Sequence, residues 1–529
     1  MQSVDNNTNA SLSQNVTEDD WSLPSSVQLS PQAGFYPSIF ALSWKLLNPK
    51  EGVYDLTLLD SALALANRNN IEFFVVPYVA DKDFVPEWVV QKHRLPSYRF
   101  PFNPDYQTQV GPLSKGYFVP IWNVGYQQEL RSFLLRIVQH PFFQSPRFRF
   151  CYFPGAWRWG EFTVEFTSQM EADGLTPKTS VQAIQRLIDI FVEVFRGKES
   201  LLVWTGYDNL EYCDDKSLWR DQIGRQISQY ALSKGVGVRH GGMERFNWAL
   251  SDIPNWGTRL DTVEGKIYMK TDETVSILAD HKRIFGSELE CFGDCEGGNR
   301  QLLLGTYYHK KMAMLKALQL QIRWIDAYKE FANEYPSLYE YVKKSIGKTA
   351  STSADCWVAL RAAQDDAYPH ENRGVHRFTV HNWERWLYQR EIQPEGKTIL
   401  TNEVKDAWQP LAEPVYEARK TNHTEGSDYM YFNVDDRFVA GYTKGYILKI
   451  TFADTFVGSW HVEYTARDGT VYKPSPPVNN QNDGQWKTVS LRLSDAQFSN
   501  RQKGGMDFRV YNGGKNDLTV RFIRLIKEN

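Results

Sequence analysis

Tyr152-Phe153-Pro154-Gly155-Ala156-Trp157-Arg158-Trp159-Gly160-Glu161-Phe162 closes an aromatic run that begins at residue 147. A short apolar segment that breaks at Pro-Gly and then loads its loop with Trp-Arg-Trp-Gly-Glu reads as a buried parallel strand whose C-terminal end carries chemistry. Similar segments recur on both sides of it. Residues 38–44, 71–79, 201–205, 236–240, 283–288 and 318–324 are strand candidates, and a poorly marked strand near the N-terminus completes eight. Between them, residues 58–67, 127–138, 181–195, 219–233 and 307–317 place apolar side chains at helical spacing. This alternation over residues 34–350 predicts an α/β fold, a (β/α)8 TIM barrel with its functional groups at the C-terminal strand ends. Residues 95–120 and 243–273 exceed a minimal barrel and are expected to shape a cleft.

Beyond residue 350 the pattern changes. Residues 351–422 read as a mixed connecting segment. Residues 423–529 read as a C-terminal antiparallel β-sandwich domain, with strand candidates at 429–434, 445–452, 460–465, 486–493, 506–511 and 518–526. The turn signals Arg467-Asp468-Gly469 and Asn512-Gly513-Gly514 punctuate them. Few carboxylates cluster at these strand ends, so the sandwich is expected to be an accessory module that supplies no catalytic residue. Residues 1–33 read as a disordered leader followed by the first barrel segment.

With 60 Lys and Arg against 63 Asp and Glu, no overall field gathers nucleic acid or an anionic membrane. No apolar run reaches the ~20 residues that a membrane-spanning helix needs. The five Cys suggest no paired framework, and Cys291 and Cys295 lack a second pair at metal-ligand spacing, so no metal and no cofactor is expected. The polar leader is compatible with a mature secreted or periplasmic chain. Aromatic residues make up 14% of the chain, 17 of them Trp, and rings of this kind serve equally as core and as platforms for sugar faces.

Cleaving a glycosidic bond takes two carboxyl groups, and on a barrel they must stand at strand ends. Glu161 follows the fourth strand candidate and, just before it, Trp157 and Trp159, whose desolvation would favour its protonated form. The seventh candidate ends in Ser287-Glu288-Leu289-Glu290-Cys291-Phe292-Gly293, where a period of two puts Glu288 and Glu290 on one side. Strand ends also supply Trp44, Tyr78, Trp204, Tyr207, His240 and Trp324, which with Trp157 and Trp159 form a candidate sugar cleft. Arg158, His240, Arg245 and Lys270 would suit a sulfated or uronic glycan.

These residues carry a resemblance to the retaining glycoside hydrolases of clan A, in particular the branch containing β-galactosidases and relatives from polysaccharide-degrading bacteria. Ser43-Trp44-Lys45-Leu46-Leu47-Asn48-Pro49-Lys50-Glu51-Gly52-Val53-Tyr54-Asp55 is similar to that clan's Trp-x-x-x-Glu-Pro-x-x-Gly-x-Tyr-Asp stretch. Val85-Pro86-Glu87-Trp88-Val89 resembles its Pro-x-Trp-Leu segment, and Trp122-Asn123-Val124-Gly125-Tyr126 its Trp-Asn/Asp-x-x-Tyr segment. The resemblance implies Glu161 as acid/base and a Glu after the seventh strand as nucleophile, Glu288 ahead of Glu290. Gly160 departs from the clan's Asn before the acid/base, so a hydrogen bond to the sugar 2-hydroxyl would have to come from elsewhere. The expected substrate is a polysaccharide or its oligosaccharides, such as a carrageenan- or agar-type galactan. The competing readings are a non-catalytic glycan-binding protein on a degenerate barrel and a metal-dependent hydrolase. Against the latter, the 10 His form no His-x-His or His-Glu-x-x-His element.

Overall fold

The computed structural model describes residues 21–30, 33–36, 39–99, 117–153, 168–205, 227, 230–240, 258–272, 285–289, 305–327, 330–366, 376–404 and 415–529, with the backbone alone at some of them. Eight parallel strands form one sheet. They are β1 Gly34–Phe35, β2 Ile39–Ser43, β3 Phe73–Tyr78, β4 Phe148–Phe153, β5 Leu202–Trp204, β6 Gly237–His240, β7 Phe285–Leu289 and β8 Trp324–Ala327. Their order is β1-β8-β7-β6-β5-β4-β3-β2, so β2 to β8 pair in chain order while β1 pairs with β8, and the two ends of the order, β1 and β2, are separated by only three residues in the chain.

Strands such as Phe73-Phe74-Val75-Val76 carry apolar residues at successive positions because both faces are covered. Phe73, Val75, Phe148, Cys151, Phe153, Leu202, Trp204, Leu289 and Ile325 join the large apolar cluster under the helices. The other face holds Tyr36, Phe74, Val76, Phe150, Tyr152, Val203 and Trp324. Trp324 on β8 lies with its ring centroid 4.6 Å from Phe150 on β4 and 6.4 Å from Phe74 on β3. In a flat sheet β8 and β4 would stand about 19 Å apart, four strand spacings. The sheet therefore curls until its inner side chains meet.

Around it pack α1 Thr57–Arg68, α2 Val124–Ile137, α3 Pro177–Val194, α4 Gly305–Gln319 and α5 Pro336–Ser345. Asn123 caps α2 by accepting from the Tyr126 amide at 3.0 Å, and Thr176 and Thr179 form a reciprocal capping box ahead of Pro177 on α3. The expected eighth strand at 318–324 is displaced: Leu318 and Gln319 finish α4, and the strand starts at Trp324. Gln321 turns the chain out of the helix at φ 57°, while the Ile322 amide donates to the Ala317 carbonyl at 3.2 Å. Leu318, Leu320 and Ile322 thus alternate like a strand while belonging to a helix end.

The chain after residue 350 forms two further sheets. One contains Asp355–Asp366, His376–Arg385, Ile399–Val404, Val415–Lys420, Tyr446–Ala453, Trp486–Leu493 and Thr519–Lys527. The other contains Leu387–Arg390, Tyr429–Val434, Val457–Tyr464, Lys473–Pro474, Val478–Gln481 and Phe508–Tyr511. They share one core, in which Val358, Ile450 and Ile523 from the first meet Phe432, Trp460 and Phe508 from the second. The segment 351–422 is therefore no connector but supplies strands to both sheets. Residues 258–271, expected to form a cleft loop, make the hairpin Thr258–Val263 and Lys266–Thr271, which joins the first of these sheets by parallel pairing with His376–Arg385.

Where the hairpin docks, polar groups are buried together. Glu391 accepts from Lys266 at 2.5 Å and from the Thr398 hydroxyl at 2.9 Å, and lies 3.5 Å from Arg419. The Arg419 guanidinium also sits 3.0 Å from Nδ1 of His381. Burial, then the charges of Arg419 and Lys266, push the His381 pKa from its ordinary 6.5 down to about 4, against the pull of Glu391. His381 is thus neutral in the fold and binds a proton more readily when unfolded. The stability it contributes is whole above pH 6.5 and is lost as pH falls towards 4, worth about 2 kcal/mol after allowance for its partial exposure. Urea unfolding at pH 7 and pH 4.5 should show the native chain losing about that much more than His381→Asn on acidification; parallel losses would refute the assignment.

Candidate active site

Parallel register sets the C-terminal rim of the curled sheet. Arg239 on β6 stands beside Gly286 on β7, which stands beside Trp324 on β8. One residue on, His240, Ser287 and Ile325 align, and a further residue on, Glu288 aligns with Asp326. Trp324 belongs to the inner cluster, whereas Leu289, Ile325 and Ala327 pack towards the helices. Positions 286 and 288 therefore share a register series with the inward Trp324 and with Asp326.

Inside the curl the floor is aromatic. The Trp324 indole lies across Gly286, so close that a Cβ on Gly286 would stand 2.1 Å from its ring. Tyr36 sits in the same layer, its hydroxyl pKa raised by burial against the lowering charge of Arg149, which pairs with Glu72 at the opposite end of the sheet. Nearer the rim, the buried Arg239 guanidinium lies 6.0 Å from the Tyr152 ring. Apolar groups below and ionisable ones above give a site that can hold a polar ligand at the rim and exclude water beneath it.

Among the expected site residues, Glu161, Glu290, Trp157, Trp159 and Tyr207 lie outside the described residues, as do Arg158 and Arg245. Glu288 is the penultimate residue of β7, described by its backbone, and His240 ends β6 in the same way. Three tryptophans depart from expectation. Trp44 is 0% exposed, its ring stacked on Phe133 of α2 at 5.2 Å and its Nε1 donating to Asn48. Trp204 is 1% exposed between Phe153 and the helical cluster containing Phe191 of α3. Both point into the layer between sheet and helices: Trp204 is the neighbour of the inward Val203 on β5, and Trp44 opens the short helix Trp44–Leu47 just past the end of β2. Trp324 faces inward but starts its strand instead of ending it, and is 0% exposed. It fills the core below the rim. Trp324→Ala is accordingly expected to cost about 3–5 kcal/mol in urea unfolding, and a cost below about 1 kcal/mol would put the ring back among ligand contacts.

Lys270 is spent on Asp261, 2.8 Å away within the hairpin, and adds no positive charge at the rim. Arg239 and Asp326 are rim residues that the sequence reading passes over. Their signal is an ionisable side chain inside a strand otherwise apolar on both faces.

A sequence profile for glycoside hydrolase family 42, described as β-galactosidase, matches residues 19–96. The chain thus resembles the β-galactosidase-like members of clan A over the segment that holds β1, β2 and β3. No curated protein matches the chain. Among solved structures, a xylanase 10B from Thermotoga maritima aligns at 10% identity and a TM-score of 0.30, over 58% of this chain and 87% of the xylanase. A β-galactosidase from the psychrophilic Marinomonas ef1 aligns at 9% identity and a TM-score of 0.28, over 55% of this chain and 49% of the enzyme, so the chain spans about half its length. The C-terminal CBM6 of LamC, a marine laminarinase from Zobellia galactanivorans, aligns at 13% identity and a TM-score of 0.16, over 27% of this chain and 99% of that module.

Proposed function

We propose that this chain is a retaining glycoside hydrolase that cleaves β-glycosidic, in particular β-galactosidic, bonds in a polysaccharide or its oligosaccharides, with a sulfated galactan of the carrageenan or agar type as substrate. The curled sheet is read as a closed (β/α)8 barrel and the two later sheets as a β-sandwich. The observation that carries the reading is the place of Glu288: the C-terminal end of the seventh strand of an eight-stranded parallel sheet, in a chain whose first strands match a β-galactosidase profile. Glu288 attacks the anomeric carbon, and Glu161, after β4, first protonates the leaving oxygen and then activates water. Action on a polymer agrees with a secreted or periplasmic enzyme.

The test is a screen of plant and red-algal galactans, with sizing of products and NMR of the first-formed anomer. Retention is expected, with the two carboxylates standing about 5–5.5 Å apart, as double displacement requires and direct water attack does not allow. An inverted anomer would end the proposal. Tight binding without products would favour the non-catalytic glycan-binding reading instead.

A further inference from the structure

The hairpin at residues 258–271 belongs by chain order to the connection between β6 and β7, the two strands whose ends carry His240 and Glu288. By hydrogen bonding it belongs elsewhere: Ile267, Tyr268, Met269 and Lys270 pair with Val380, His381, Trp383 and Glu384. We propose that this hairpin is a tether through which the C-terminal sheets position the rim of the active site, with Lys266, Glu391 and Gln319 as positioning residues; the role rests on the reading of that rim as catalytic.

Three sets of contacts hold the tether. At its turn, Lys266 bonds to Glu391, whose carboxylate is itself fixed by Thr398 and Arg419. Along its length, Arg390 stacks on Tyr268, 4.4 Å from the ring centroid, lies 3.9 Å from Asp261 and donates to the buried Glu384 at 2.6 Å. On its other side it meets α4, the helix that leads from β7 to β8. Gln319 Nε2 donates to the Met269 carbonyl at 2.9 Å, the Thr271 hydroxyl donates to the Gln319 carbonyl at 2.8 Å, and the Lys316 ammonium lies 2.8 Å from the Met269 sulfur. The hairpin is therefore bolted to a helix of the curled sheet and to the C-terminal sheet at once. α4 packs against β7 in its turn, so a hairpin anchored on both sides restricts that strand end more than a solvated loop would.

Cutting the anchor should loosen the rim without unfolding the chain. In hydrogen–deuterium exchange on the full-length protein, Lys266→Ala is expected to speed exchange by about tenfold in peptides covering 237–240 and 285–289, leaving 446–453 unchanged. Lys266→Arg, which can still reach Glu391, should restore protection. Gln319→Leu, cutting the α4 side, gives a second route if Lys266→Ala folds poorly. Deprotection confined to the hairpin, with both strand ends unchanged in Lys266→Ala and Gln319→Leu, would overturn the proposal. The exchange result stands whether or not a galactan is turned over. With an active substrate, a fall in kcat restored by Lys266→Arg is the matching kinetic outcome, and an unaltered kcat despite loosened strand ends would deny the tether a catalytic role.

Discussion

Ending the chain at Ile346 is expected to give no folded, soluble protein. The curled sheet does not close its core with its own residues: Trp357, Trp383 and Phe522, from strands beyond residue 350, lie in the same apolar cluster as α4 and α5. Lys316 packs under Trp383 at 5.0 Å, Lys311 lies against Trp21 and Phe522, and Trp21 stacks on Tyr341 of α5 at 4.8 Å. Each aromatic ring buries about 150–250 Å². At about 25 cal/mol per Å², the burial of three such rings is worth on the order of 11–19 kcal/mol, at or above the net stability of a typical domain. The hairpin would lose its sheet as well. Circular dichroism and gel filtration of residues 21–346 should find aggregate or an uncooperative melt; a monomer melting cooperatively would restore the view of the C-terminal sheets as a detachable accessory.

Replacing either proposed catalytic carboxylate should abolish turnover of natural glycosides. Glu288→Gln keeps shape and hydrogen bonding but removes the nucleophile, and a loss on the order of 10³-fold or more in kcat is expected. Glu161→Gln should cost a similar factor on natural substrates while sparing the first step for aryl glycosides with very good leaving groups, which need little protonation. Glu290→Gln separates the two candidates: Glu288 shares the register series of Gly286, and Glu290 lies outside the described residues. Full activity in Glu288→Gln with loss in Glu290→Gln would move the nucleophile and keep the mechanism. Loss in neither would remove β7 from the chemistry.

Most strands of the parallel sheet could be read to within two residues because they are buried on both faces, which leaves continuous apolar runs such as Phe73–Tyr78 and Phe148–Phe153. The strand Asp355–Asp366 escaped notice for the opposite reason. Arg361 interrupts its apolar run, and only the structure reveals that its guanidinium is sheltered over the Trp383 ring at 4.2 Å and bonded to Glu417 at 2.9 Å. The hairpin had a legible signal: alternating residues around Glu264-Gly265, both at positive φ as a tight two-residue turn requires. Its partner was not legible, because parallel pairing with residues more than a hundred positions away leaves no local mark. For the site, strand ends named the right rim, but the inward or outward direction of each aromatic residue depends on register. Trp204 fell on the wrong side by one residue, and Trp44 begins a helical turn where a strand end was expected.

The strand Thr519–Lys527 has a consequence for how the protein is made. It lies between Tyr446–Ala453 and Asp355–Asp366, well inside its sheet, yet it is synthesised long after Asp355–Asp366, with which it pairs. Trp21, near the other end of the chain, packs against its Phe522, and the Ser22 carbonyl accepts from its Arg524. The segment around Trp21 must therefore wait through the synthesis of about 500 residues for its partner. Until then the rings that line this joint stay exposed on a nascent polypeptide, and contacts of such long sequence separation form slowly. Production of the protein should accordingly depend on chaperone capacity and slow expression, and deleting Thr519–Lys527 alone should be as damaging to yield as the loss of a whole domain.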